Sequence, residues 1–125
     1  MHVSARLLLA TGAGLGGAGV ALAAVAAHAV QTPALGTAAT MAILHAATGV
    51  TLALGSTLPI SARTAALLRL SGWTITLGAL LFAGDVALRE LAGYRLFPMA
   101  APAGGSLMIL GWLSLLLPAA LFRPR

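Results

Sequence analysis

Cysteine and lysine are both absent from this 125-residue chain, and acid is nearly so: Asp85 and Glu90 are its two acidic residues. Without cysteine there are no disulfides, thiolate metal sites or cysteine nucleophiles. Without lysine, the net charge of +5 comes entirely from seven arginines. Charged residues make up 7% of the chain and hydrophobic ones 60%, with a mean hydropathy of +1.02. A soluble domain carries about 25% charged residues, so this composition is that of an integral membrane protein. The arginines stand at the ends of apolar runs. That placement favours membrane orientation and lipid headgroups, and leaves no case for a nucleic-acid partner.

Four apolar runs suffice for spans at about 1.5 Å per residue across a core of about 30 Å. They cover about 7–30, 37–58, 70–89 and 103–122, within a single transmembrane domain, 1–125. Arg6 and the sequence Ala27, His28, Ala29 resemble parts of a signal peptide, but the run is longer than an h-region of about 7 to 15 residues, so a retained helix is expected. QTPALG, 31–36, reads as the link of an antiparallel hairpin, because Pro33 disfavours helix at Thr32. Ser61 to Arg69 reads as a polar turn and Gly93 to Pro102 as an ordered loop, with Pro118 expected to kink the last helix and Arg123 and Arg125 to stop it. The expected fold is an all-α membrane protein, a four-helix transmembrane bundle. Arg6, Arg63, Arg69, Arg123 and Arg125 fall on one side, and Arg89 and Arg95, offset by Glu90, on the other. The positive-inside rule then makes both termini cytoplasmic.

GAGLGGAG, Gly12 to Gly19, suggests a nucleotide fingerprint, but it lacks the preceding strand and following acid, and no cofactor is expected. Gly12, Gly16 and Gly19 form a small-residue stripe at helical spacing, and Gly49 belongs to a second one on the next helix. Such stripes let helix backbones approach in lipid.

Asp85 lies inside an apolar run, where a carboxylate needs a partner, and Arg89 four residues on is on the same face in the favourable orientation. With His28 and His45 they make up a candidate polar cluster in the outer half, His45 roughly 12 Å below the start of its span. The cluster allows three readings. It could be structural, an ion or proton site, or a metal site for which His28 and His45 are weak candidates, because they sit on different helices without an HxxH or HxxxH pair. No catalytic set stands out. Serines lack a base in a strand-and-turn context, and Trp112 reads as a packing residue.

An arginine before a glycine-rich helix ending AAHAV, then HAATGV, GWTITLGALLFAGD, P-A-GG and LGW resemble the YgdD-like family along nearly the whole chain. These are small four-helix bacterial inner-membrane proteins of unknown function, with related small transmembrane proteins in eukaryotes. The resemblance implies a multi-pass protein of the inner (plasma) membrane, and directs attention to His28, His45 and a loop of Pro102, Gly104 and Gly105. The position of Asp85 is often a small hydroxyl residue in that family, which argues against an essential proton-carrying role for the aspartate. The leading expectation is an accessory or scaffold protein with the bilayer, its own copies or a larger membrane complex as partners. The alternative is a small transporter or channel using the outer cluster; small multidrug exporters share the size, but the glutamate expected in their first span is missing here.

Overall fold

The computed structural model describes residues 1–122 and is all-helical over them. Helix α1 spans Val3–His28, α2 Pro33–Gly55, α3 Ala62–Ala92 and α4 Ala100–Ser114, with a short α5, Leu116–Leu121, continuing α4. Four segments, the last being Ala100–Leu121, are long and apolar enough to cross a membrane. They run up and down. One end of the bundle, the terminal end, carries the start of α1, the α2–α3 turn and the end of α5; the other, the loop end, carries the α1–α2 link and residues 93–99. Arg123 and Arg125, expected to stop the last helix, lie outside the described residues.

The first three helices begin where a side chain caps them. Thr32 is the N-cap of α2, its hydroxyl accepting from Leu35 N at 3.2 Å, and Pro33 is the first helical residue. The link expected over 31–36 therefore ends four residues early: proline fits the first turn, where its missing N–H has no intrahelical partner. The polar turn expected over Ser61 to Arg69 is helix. Ser61 caps it by accepting from Thr64 N at 3.1 Å, and the run that follows is rich in alanine, leucine and arginine, all with high helix propensity, so charge there marks a helix end outside the hydrocarbon and not a turn. α3 is consequently about 46 Å long.

Gly93 ends α3 in the left-handed region, φ 82°, its N–H reaching the carbonyls of Leu88 and Arg89. Met99 at φ 67° starts α4. Pro102, Gly104 and Gly105, expected in a loop, are therefore helical, Pro102 again in a first turn that tolerates it. The break expected from Pro118 falls at Leu115, next to Ser114, whose carbonyl has lost its usual i+4 donor.

α3 is the centre of the bundle and packs on α1, α2 and α4. Its core is built from small side chains: Ala38, Ala42 and Ala46 of α2, Ala79 and Ala83 of α3, with Leu15 of α1 and Met108 of α4. Glycine sets the closest approaches. A Cβ on Gly12 would lie 3.2 Å from Ala46 O, one on Gly19 2.9 Å from Ile43 Cγ1, and one on Gly104 2.5 Å from Phe82 N. These faces bind the chain to itself.

Candidate functional site at the loop end of α3 and α4

Asp85 is buried, 1% exposed, two turns before the end of α3. The left-handed turn at Gly93 sends the chain back along the helix. Leu96 N then donates to Asp85 Oδ1 at 2.9 Å, while Arg89 Nε lies 3.5 Å from Oδ2. The carboxylate thus ties the 93–99 segment to α3 and holds a guanidinium beside it. Arg89 Nε is buried and, among the described residues, has no hydrogen-bond partner. A half-open cavity of about 370 Å³ adjoins the pair, with Phe82, Asp85 and Arg89 on the α3 side, Arg95 from the loop, and Ala101, Pro102 and Gly105 from α4.

The two histidines stand apart from this cavity. His28 is the exposed last residue of α1, where Gln31 Nε2 donates to Ala27 O at 2.9 Å. His45 lies near the middle of α2, about 18 Å from its start, deeper than expected because the helix begins at Pro33. Its Nδ1 is 2.7 Å from Met41 O, and its ring meets Trp112 edge to face, centroids 6.3 Å apart. No hydrogen bond or ion pair among the described residues joins either histidine to Asp85 or Arg89, and those residues contain no group of three or more potential metal-binding side chains. Of the candidate cluster, the structure brings together Asp85 and Arg89.

Of the glycines singled out for packing, Gly12, Gly19 and Gly49 are buried against neighbouring helices, and Gly16 faces the Cβ of Ala46 at 3.4 Å. Gly49 makes room for the hydroxyl of Thr76, which is fully buried and has no hydrogen-bond partner among the described residues. Sequence reasoning missed the roles of Phe82 and Arg95. Arg95 had one usable signal, its position two residues after a glycine that ends a helix, where a chain reversal returns charge towards Asp85.

Four apolar spans and a carboxylate clasped at one end of them define a multi-pass α-helical membrane protein. Residues 22–105, more than half of the chain, match the family described as Protein of unknown function (DUF423), and the chain belongs to that family. No curated protein and no solved structure matches it.

Proposed function

We propose that this protein is an accessory or scaffold component of the cell inner membrane that assembles, with its own copies or with a larger membrane complex, through the outward face of α1. The observation that carries this reading is the division of the α1 glycines. Gly12, Gly16 and Gly19 face the chain's own α2, whereas a Cβ on Gly14 or Gly17 would meet nothing within 4 Å. Ala10, Gly14, Gly17, Ala21 and Ala24 are exposed and recur at alternating spacings of four and three. A small-residue seam of that period suits close, left-handed packing against another helix in lipid. In the same reading both termini are cytoplasmic, with Arg6, Arg63 and Arg69 at the terminal end, while Arg89 and Arg95 at the loop end are offset by Glu90.

Because the chain has no cysteine, single-cysteine variants give a clean test in native membranes. Ala21→Cys should cross-link to another copy or to a partner subunit, and Leu44→Cys, exposed on α2, should not. Combining Gly14→Leu and Gly17→Leu should abolish the cross-link while leaving the fold intact. Equal cross-linking at both sites, or none at either, would sink the reading. Ion flux in proteoliposomes that disappears with His45→Ala would favour the transporter or channel instead.

A further inference from the structure

We propose that the cavity at the loop end of α3 and α4 binds a phosphoryl group, with Arg89 and Arg95 as its cationic ligands. The charge balance of the walls points to an anion. Two guanidiniums line the cavity against one carboxylate, and Glu90, next to Arg89 in sequence, is not among the lining residues. The carboxylate is already engaged: Asp85 Oδ1 accepts from Leu96 N and Oδ2 faces Arg89. Arg89 is a donor-rich cation held in place through its Nε, 3.5 Å from Asp85 Oδ2, with the side chain about one-third exposed. Planar guanidinium forks match phosphoryl oxygens in pairs, and a partly desolvated cation gains most from such a partner.

The space and depth suit the group. Gly104 and Gly105 are adjacent but do different things: a Cβ on Gly104 would strike the α3 backbone, 2.5 Å from Phe82 N, whereas one on Gly105 would meet nothing within 4 Å and would project from the cavity wall. Gly104 permits helix contact; Gly105 keeps the cavity open. About 370 Å³ accommodates a phosphate ester together with the carbons next to it, for which Phe82 and Ala101 provide apolar wall. Arg89 closes the apolar run of α3 that begins after Arg69, a length of about 30 Å that matches the hydrocarbon core, so it stands at the edge of that core. That is the level at which lipid phosphates lie. Asp85 acts here as a positioning residue: by holding Leu96 N it brings the neighbouring Arg95 to the cavity, and by facing Arg89 it orients that side chain.

The test titrates the full chain in mild detergent with phosphatidylglycerol and, separately, with inorganic phosphate, following occupancy by native mass spectrometry. Wild type should take up one phosphoryl-bearing ligand. Arg95→Gln, in an exposed loop, and Gly105→Leu, which fills the cavity without touching the α3–α4 contact, should each weaken uptake about tenfold or more. Arg63→Gln, at the terminal end, should leave it unchanged. Uptake of phosphatidylglycerol alone identifies a lipid headgroup, and uptake of inorganic phosphate identifies a free anion site; either supports the proposal if the two cavity variants lose it. Uptake of neither probe, or uptake unchanged by both Arg95→Gln and Gly105→Leu in protein of normal helicity, would overturn it.

Discussion

At the terminal end, polar side chains from different helices find one another: Trp73 Nε1 donates to Ser4 Oγ at 2.9 Å, and the hydroxyls of Ser71 and Ser114 share a 2.6 Å hydrogen bond. At the loop end, Asp85 is satisfied by its own helix and the loop that follows, and two arginines border a cavity between α3 and α4. Neutral hydroxyl and indole pairs complete each other's hydrogen bonds and can close a bundle. A carboxylate with two guanidiniums leaves donors over. The difference teaches where to look for a ligand in a chain this apolar: at the polar groups whose inventory does not balance.

The contrast is broken most strongly by Asp85→Ala, which deletes a hydrogen bond to a charged acceptor and leaves Arg89 without its counter-ion. A loss of about 1.5–3 kcal/mol is expected in unfolding from mild detergent, with Arg89 about one-third exposed and so not the full cost of a stranded buried charge. Faster proteolysis within 93–99 should accompany it. Asp85→Asn keeps an acceptor for Leu96 N, so intact protection of the loop in that variant would separate the clasp from the charge.

Ser71→Ala tests the other end. Interhelical hydrogen bonds in membrane bundles contribute about 0.6 kcal/mol on average, and a loss of that order, with no change in loop proteolysis, is expected. A loss as large as that of Asp85→Ala would show that the two ends do not differ as their geometry implies.

The smallest effect concerns neither end. Thr76→Val removes a buried hydroxyl without a partner among the described residues, so stability should be unchanged or rise by about 1 kcal/mol or less. A clear destabilisation would show instead that the hydroxyl makes a stabilising polar contact across the Gly49 face.

Four spans, their up-and-down order and their membrane character were legible in the chain because hydropathy and length act locally, residue by residue. So was the pairing of Asp85 with Arg89, since four residues of helix bring two side chains together whatever lies around them. Helix ends were less legible. Ser61 and Thr32 begin helices that an apolar-run reading starts later, because capping and propensity extend a helix beyond the hydrocarbon it must cross.

What the tertiary structure alone decided is the use made of each small residue and each polar group. Gly104 and Gly105 are the same residue in neighbouring positions, yet one faces a backbone and the other open space, because successive helical residues point about 100° apart. The stripe on α1 divides for the same reason, Gly12, Gly16 and Gly19 inward and Gly14 and Gly17 outward. His28, His45 and Asp85 carry similar chemistry in the sequence, but depth and helix face separate the histidines from the aspartate, and Arg95 lines the same cavity as Asp85 instead. Hydropathy is a property of the segment, whereas a site is a property of which faces meet, and that is settled when the helices pack.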